Sequence, residues 1–574
     1  MTSTHSRPPI SRLPVELLSE VFCYMPVDVV MLDTRRRNTF PSWFAVTHVC
    51  RHWRRVAYAC PGLWLFMPLE SLEWTNVALE KSKPGPIIIL ADTIDFLFGK
   101  SEDYHDWILP EALEVAFGSV YRAVEIEWSA KCETEDEQAM LVRLLAVLLR
   151  SAAPLLESLN IWFEVYEDIQ TLDIPDGLFL NCPLPQLQTL DISGSIALGE
   201  SQLFRSSSLT SLRMYEVDVR RIWPTTGDMI SSLRDLPRLE TLELNRCFSS
   251  IDPSAPAIVL PCLTRLILLG DFAPVSQSMH LISSPILRTL DVTIRLKHEA
   301  APSVQEKVET LQALFMSRFS AAHSARNSYR SCQIQTSDPY LLLDVQIQAE
   351  DPQVAGPHLP TRLLLTLSVE VADDVDRGLG DDPEWDIAKE FSPVAFKALP
   401  LSGVRTLAVS HDHEGDNFDW DTILEQWVEV ENLIVSTSAA HSLLASMHQA
   451  WLLRSHSLLE SNLTSAPPTL PLPALAHLTI EQLDFIANAE EYKPSSFALM
   501  QGVLEGRADG DFPPFKLVLR GCTLTPDMLS SLSRSISDDM FEHGTCEVRE
   551  HKFVDWDDSL SSDSHTSSAM SDSD

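Results

Sequence analysis

The chain begins with a stretch whose apolar residues recur at helical spacing. Pro14 suits the first turn of a helix, where its missing N–H costs no hydrogen bond, and Glu16 lies near the positive helix end. The pattern therefore predicts an amphipathic helix close to the N-terminus. Its apolar stripe consists of Leu17, Leu18, Val21, Phe22 and Met25.

A second helical pattern covers residues 46–57, with a basic side that carries Arg51, Arg54 and Arg55. Residues 27–42 between the two patterns are polar and leave a middle helix poorly defined. Two helices of this size cannot bury both apolar faces against each other, so they need a partner or a following domain. The apolar face of the second pattern consists of Val46, Val49, Trp53, Val56 and Ala57.

Further along, the pattern changes to a repeat of the form Leu-x-x-Leu-x-Leu, in most copies preceded by proline. The last two leucines alternate on one strand and point into a core, and the residues between them face the other side. Each unit exposes its apolar side unless a neighbour stacks on it. Strong copies lie at residues 154–161, 185–192, 208–214, 237–244, 261–268 and 285–292, and weaker ones at 121–126, 404–409, 430–435, 473–480 and 516–522.

The strong copies are roughly 22 to 31 residues apart, a spacing that resembles leucine-rich repeats. Cys247 and Cys522 stand where that repeat tolerates Asn or Cys. The resemblance implies a solenoid with strands on its concave side and helices, such as residues 137–149 and 308–319, on its convex side. The alternative, a set of unrelated amphipathic strands in an α/β domain, stays open.

Parts of the chain depart from the repeat. Residues 297–398 are irregular: 340–345 and 362–369 read as strands that could be degenerate repeats, and 373–386 reads as an acidic loop. Residues 559–574 consist almost only of Ser, Asp, Thr and His, and the tail 554–574 has too little apolar surface to offset the entropy of ordering. We expect this tail and residues 1–9 to be disordered.

Three blocks near the N-terminus match a known module in order. Leu-Pro-x-Glu-Leu-Leu-x-x-Val-Phe at 13–22, Val-Cys-Arg-x-Trp-Arg at 49–54 and Leu-Trp at 63–64 resemble an F-box, of the variety abundant in mushroom-forming fungi. F-box modules bind a Skp-type adaptor, which joins a cullin scaffold carrying the ubiquitin-transfer machinery. The resemblance covers residues 10–66. It implies an adaptor-binding surface formed or supported by Leu13, Pro14, Leu17, Val21, Phe22, Val49 and Trp53.

Composition narrows the function classes. The formal net charge of -38 argues against nucleic-acid binding and against attachment to anionic lipid, which both need basic faces. The ten cysteines include no Cys-x-x-Cys pair, which argues against a zinc ribbon or a thioredoxin-type site. With no secretory signal and no apolar run long enough to span a bilayer, we expect the cytoplasm and/or the nucleus.

No catalytic set stands out in the sequence. It contains no Gly-x-Ser-x-Gly elbow and no His-Glu-x-x-His, and we expect no cofactor and no metal. His411 and His413 could ligate a metal, since alternate residues of a strand share one side, so an enzyme hidden in the irregular middle is the weakest alternative. An exposed polar loop is the favoured interpretation of that segment.

The sequence as a whole predicts an α/β protein: a small helical F-box at 10–66, an irregular leucine-rich-repeat-like solenoid at 67–553 and an acidic tail. The predicted function is a non-catalytic substrate receptor of a Skp–cullin–F-box ubiquitin ligase. The alternative is a non-degradative interaction scaffold whose F-box tethers the adaptor or is vestigial. The expected capture surface is the concave strand face, with Asp191, Ser193, Arg213, Tyr215, Glu243, Asn245, Ile267, Leu269, Asp291 and Thr293 placed there by parity.

Overall fold

The computed structural model divides into two compact units, Met1–Gln333 with Asp338–Pro400, and Ile334–Ser337 with Leu401–Asp574. The structure describes residues 13–32, 44–93, 109–132, 134–165, 171–174, 176–199, 202–248, 250–296, 331–336, 341–348, 364–371, 404–411, 427–459, 472–486, 495–509, 514–537, 539–544 and 546–548, and positions 306, 309, 310, 313, 314, 420 and 424.

The first unit begins with short helices. They are α1 (Val15–Leu32), α2 (Ala45–Val49), α3 (Arg51–Tyr58), a 3-10 turn (Pro61–Trp64) and α4 (Leu72–Lys81). Helix α1 continues past Pro26 to Leu32, into the segment that the sequence pattern left undefined. The first predicted helix is therefore confirmed and is longer than its apolar stripe.

The prediction of a single helix over residues 46–57 is wrong, because the helix is interrupted at Cys50. Cys50 is extended, with φ -161° and ψ 170°, and its thiol accepts a hydrogen bond from the Trp53 N–H at 3.4 Å. The break therefore caps α3 at its N-terminus. It also separates Val49, which is exposed, from Val56, which is buried, so these two residues do not share one apolar face.

Ten strands of the first unit form one sheet, in the order β1-β2-β3-β5-β7-β8-β10-β12-β15-β14. Their bounds are β1 (Ile87–Thr93), β2 (Ala123–Cys132), β3 (Ser158–Val165), β5 (Thr189–Gly194), β7 (Ser211–Tyr215), β8 (Thr241–Asn245), β10 (Arg265–Asp271), β12 (Thr289–Leu296), β14 (Leu341–Gln348) and β15 (Leu364–Val371). The other elements are β4 (Leu172–Ile174), β6 (Ile196–Leu198), β9 (Ile258–Val259), β11 (Ile282–Ser283), α5 (Pro110–Phe117), α6 (Glu135–Leu148), α7 (Thr226–Arg234), α8 (Phe272–Leu281) and 3-10 turns at Val120–Arg122, Leu178–Asn181 and Gln202–Arg205. Strand β13 (Ser331–Thr336) has residues in both units.

The repeated sequence corresponds to a repeated local geometry. Before β5 the Leu187 N–H donates to the Leu184 carbonyl at 3.2 Å, across a turn whose second residue is Pro185. Proline is pre-organised for that turn position, which explains the recurring proline. At the end of the strand one residue has a positive φ, and here it is Gly194 (φ 104°). A Cβ at Gly194 would lie 1.7 Å from the Phe163 carbonyl oxygen, so only glycine fits.

The core of this unit is built from two apolar ladders that cross the parallel strands. The strands from β2 to β12 pair in one register, so equivalent residues of successive repeats lie side by side. Both ladders are buried, which is what alternating side-chain direction requires of a sheet covered on one side. One ladder is Ile126, Leu159, Leu190, Leu212, Leu242, Leu266 and Leu290, and the other is Trp128, Ile161, Ile192, Met214, Leu244, Leu268 and Val292.

The parallel order stops after β15. Both irregular segments predicted as strands, 340–345 and 362–369, contain strands, and β15 pairs parallel with β12. Strand β14 instead runs antiparallel to β15. It is therefore not a further copy of the parallel repeat, which corrects the idea that both segments are degenerate repeats.

The second unit repeats the parallel arrangement on a smaller scale. The weak repeat copies from 404 onwards coincide with its first four strands. Residues with a positive φ again lie at or directly after strand ends, at Thr437, Gln482 and Gly521. The elements are β16 (Thr406–His411), β17 (Asn432–Thr437), α9 (Ser438–Leu459), β18 (His477–Glu481), α10 (Ser496–Asp509), β19 (Lys516–Arg520), β20 (Thr523–Leu524), α11 (Pro526–Ser535), β21 (Phe541–His543) and β22 (Glu547–Val548), with β16, β17, β18, β19 and β21 paired in parallel.

Some sequence predictions fall outside the described residues. They are the disorder expected at 1–9 and 554–574 and the acidic loop at 373–386. Among the residues that the structure describes, no helix combines the length and the apolar character needed to cross a membrane.

Two adjacent leucines of β10 test the ladder arrangement. Leu268 is fully buried in a ladder, whereas Leu269 is partly exposed on the other side of the sheet. We expect Leu268→Ala to lower the free energy of unfolding by about 2–5 kcal/mol, since it leaves a cavity. We expect Leu269→Ala, the matched control, to lower it by less than about 1 kcal/mol. Denaturant unfolding measures both, and equal losses would contradict the ladder.

Candidate interaction surfaces

Helix α1 carries two apolar stripes, and only one of them is buried. Leu18 and Phe22 are 1% and 0% exposed, whereas Leu17, Val21 and Tyr24 are 49%, 52% and 66% exposed. The last three follow helical spacing and therefore share one face. We call this face the apolar edge; Leu13 and Val15, at the start of the helix, are also exposed.

The buried stripe fixes α1 against the helices that follow. The Phe22 ring meets the half-buried Trp53 ring edge to face, with centroids 5.3 Å apart. The Cys23 and Cys60 sulfurs are 3.4 Å apart. Burial and then the hydrogen bond with Cys60 raise the pKa of the Cys23 thiol to about 11, so it stays protonated at neutral pH. These contacts hold the apolar edge in place while leaving it exposed.

Aromatic contacts and backbone bonds attach the same helices to the sheet of the first unit. The Phe44 ring lies 5.4 Å from Trp64 and 4.4 Å from Trp74 of α4. The Ile88 N–H donates to the Leu65 carbonyl at 2.8 Å, so the segment that leaves the helices pairs with β1. The helical region is thus joined rigidly to the edge of the sheet, which this pairing also covers.

Comparison with known proteins assigns the helical region to a family. Residues 10–67 match the family model described as F-box-like. No curated protein matches the chain. The chain therefore contains an F-box-like domain, and such a domain suggests in general an adaptor role in a Skp–cullin–F-box assembly, through binding to Skp-type adaptors.

The seven residues proposed for adaptor binding do not share one environment. Phe22 is fully buried, so it can only support a binding surface, and Trp53 is half-buried against it. The sequence reasoning missed Tyr24, although the spacing from Leu17 through Val21 points to it. The remaining five, Leu13, Pro14, Leu17, Val21 and Val49, are exposed.

The ten residues proposed for substrate capture lie on the side of the sheet opposite the ladders, which we call the open face. The strand register places them in two rows. One row is Asp191, Arg213, Glu243, Ile267 and Asp291, and the other is Ser193, Tyr215, Asn245, Leu269 and Thr293.

Asn245 is the exception to the expected exposure. It is 8% exposed, because it lies in register between the larger side chains of Tyr215 and Leu269. Its side-chain oxygen has no hydrogen-bond partner among the described residues. The alternation of side chains along the strand predicted the side of the sheet on which Asn245 lies. It contains no information on the size of the side chains in the neighbouring strands. The other nine positions are partly or largely exposed.

The open face contains a cavity of about 250 Å³. Five of its lining residues belong to the proposed capture surface. Trp162 was missed, although parity applied to the first strong repeat places it on the same side. Met214 was missed because it belongs to a buried ladder. We call the cavity the open-face pocket, and its lining is Trp162, Asp191, Ser193, Arg213, Met214, Tyr215 and Glu243.

Charge in the open-face pocket is only partly balanced. Arg213 lies between two carboxylates, with N···O distances of 3.8 Å to Asp191 and 3.7 Å to Glu243. Charge-assisted hydrogen bonds are about 2.7–2.9 Å long, so these are loose contacts. Burial raises the pKa of the Asp191 carboxyl; Arg213 acts to lower this pKa and Glu243 to raise it.

The hypothesis of a metal site with His411 and His413 as ligands gains no support from the described part of the chain. No cluster of three or more His, Cys, Asp or Glu that could hold a metal ion occurs among the described residues. His411 ends β16, and His413 lies outside the described residues. The hypothesis of a metal site there stays a prediction.

The raised pKa of Asp191 predicts an effect of pH on stability. A carboxyl whose pKa is higher in the folded than in the unfolded chain disfavours folding once it is ionised. We therefore expect Asp191→Asn to raise the melting temperature at pH 7. The difference should disappear as the pH falls below about 3.9, where aspartate is protonated in both states. Thermal melting across pH measures this, and a less stable variant at pH 7 would contradict it.

A matched pair in α1 tests the division into buried and exposed stripes. We expect Phe22→Ala to lower the free energy of unfolding by about 3–5 kcal/mol, because it empties the contact with Trp53. We expect Leu17→Ala, five residues earlier on the exposed side, to change it by no more than about 0.5 kcal/mol. A large loss in Leu17→Ala would show that the apolar edge is covered within the chain.

Proposed function

We propose that the chain is the non-catalytic substrate-recognition subunit of a Skp–cullin–F-box ubiquitin ligase. The apolar edge docks the Skp-type adaptor, and the open face captures a protein substrate. The observation that carries the proposal is the exposed apolar edge on the first helix of an F-box-like domain.

Exposure of this kind is unfavourable for an isolated chain. Full burial of a Val or Leu side chain contributes about 1.5–3 kcal/mol, and contiguous exposed apolar patches mark interaction sites. Tyr24 adds an aromatic group, a residue type enriched among those that dominate interface energy. A helical partner surface that covers the edge would recover this free energy.

The open face supports the second half of the proposal. The repeated turn, strand and residue with a positive φ, at the spacing found in the sequence, resembles leucine-rich repeats. Such an array presents one row of variable side chains per strand position on a continuous surface. A protein captured there would be held near the transfer enzyme, so the receptor contributes effective concentration and no bond-making chemistry of its own.

The sequence also supports proposals about the variety of F-box, the class of partner and the location of the protein. The order of the three F-box blocks supports membership of the variety abundant in mushroom-forming fungi. The negative net charge supports a partner other than nucleic acid or membrane. The single cysteines support a location in the cytoplasm or the nucleus.

A pull-down with purified Skp-type adaptor tests the docking half. We expect Val21→Asp to reduce binding at least tenfold, because it puts a charge into an interface that must become dry. Val142→Asp on α6 is the matched control, since Val142 is 46% exposed and Val21 is 52% exposed. The control should bind like the wild type.

Failure of the wild type to bind the adaptor would remove the ligase proposal. If the adaptor binds but no protein accumulates when the gene is deleted, the alternative of a tethering, non-degradative scaffold gains support. Equal losses in both variants would show that the effect does not come from the apolar edge.

A further inference from the structure

We propose that the open-face pocket binds the guanidinium group of an arginine side chain in an exposed segment of the captured protein. The inference rests on the proposed function and deepens it, since it assigns the kind of side chain that anchors the substrate. It depends on the size of the pocket, its unused hydrogen-bonding groups, its aromatic walls and its charge.

The size of the pocket indicates one side chain. A volume of about 250 Å³ is below the roughly 300–1,000 Å³ of sites for small molecules and cofactors. The pocket lies on strands β3, β5, β7 and β8, whose positions are fixed by the buried ladders beneath them. It is therefore a preformed recess on the face proposed for capture.

The polar groups of the pocket have hydrogen-bonding capacity to spare. No side-chain hydrogen bond within the described part of the chain involves Asp191, Glu243, Ser193 or Tyr215. An ionised carboxylate accepts about four hydrogen bonds, and the two contacts with Arg213 are loose. The pocket thus offers several acceptors to a ligand that carries many donors, as a guanidinium does.

Two aromatic residues line the pocket together with these acceptors. The register places Trp162 on one side of Ser193 and Tyr215 on the other, in adjacent strands. Arginine stacks on aromatic faces, and tryptophan is the best partner for a cation. Aromatic residues in the same pocket as two carboxylates match a flat cation better than a neutral or an anionic group.

The charge of the pocket points the same way. Asp191 and Glu243 outweigh Arg213 by one negative charge. Arg213 is 48% exposed in its side chain and loosely paired, so it competes with an incoming cation without closing the pocket. An anion, such as a phosphorylated residue, would meet two carboxylates on reaching Arg213.

Ligand-observed NMR on the full chain tests the proposal directly. The probes are peptides of sequence Gly-Ser-Gly-Ser-X-Ser-Gly-Ser-Gly, in which X is arginine, glutamine or phosphoserine. We expect the arginine peptide to bind at least tenfold more tightly than the glutamine peptide, and its affinity to fall with added salt. Glutamine removes the charge and keeps a planar group with N–H donors, on a shorter side chain.

Variants of the pocket sharpen the test. We expect the double variant Asp191→Asn with Glu243→Gln to lose at least tenfold in affinity for the arginine peptide. Glu127→Gln makes the same chemical change on β2, outside the pocket, and should stay within twofold of the wild type. Arg213→Gln should bind the arginine peptide more tightly, because the competing cation is gone.

Several results would overturn the proposal. They are equal binding of the arginine and glutamine peptides, preference for the phosphoserine peptide, loss of binding in Arg213→Gln, and undiminished binding in the double variant. Adaptor binding is measured on the same preparations. A wild type that binds the adaptor but not the arginine peptide contradicts this inference alone, whereas one that binds the peptide but not the adaptor contradicts only the ligase proposal.

Discussion

The structure of the first unit depends on the pairing of equivalent residues across parallel strands. Each repeat buries the same two positions, and the common register stacks them into two continuous apolar ladders. A shift of one residue in any strand would exchange its buried and exposed sides, so the ladders specify the register. The same constraint fixes the open face, because every residue between two ladder positions must face outwards.

The F-box-like helices meet this sheet at its first strand. The backbone pairing of Leu65 with Ile88 covers the edge of β1, and Phe44, Trp64 and Trp74 pack beside it. The two surfaces of the unit differ in chemistry. The apolar edge suits a dry contact with a folded partner, and the open-face pocket suits one cationic side chain. In the function proposed above, the first surface would bind one constant partner and the second a selected one.

Much of this arrangement follows from sequence, because periodicity reports side-chain direction. Parity placed Asp191, Arg213 and Glu243 on one side of the sheet, and it could have placed Trp162 there too. It could not report that Asn245 is buried, since that depends on the bulk of residues in neighbouring strands. Direction and burial are separate properties, and only direction is local.

The wrong predictions in the helical region also concern features that depend on tertiary contacts. The break at Cys50 depends on a thiol that caps the next helix, a contact that an apolar periodicity does not contain. Phe22 and Val21 are adjacent and both apolar, yet only the tertiary contact with Trp53 decides which of them is buried. The antiparallel direction of β14 likewise depends on chain reversal outside any repeat.

Hydrogen–deuterium exchange of the full chain, with and without purified Skp-type adaptor, tests whether the adaptor docks on α1. We expect the adaptor to slow exchange in residues 15–24 and to leave strands β5, β7 and β8 unchanged. Protection that appears on those strands, or no protection in α1, would contradict this docking.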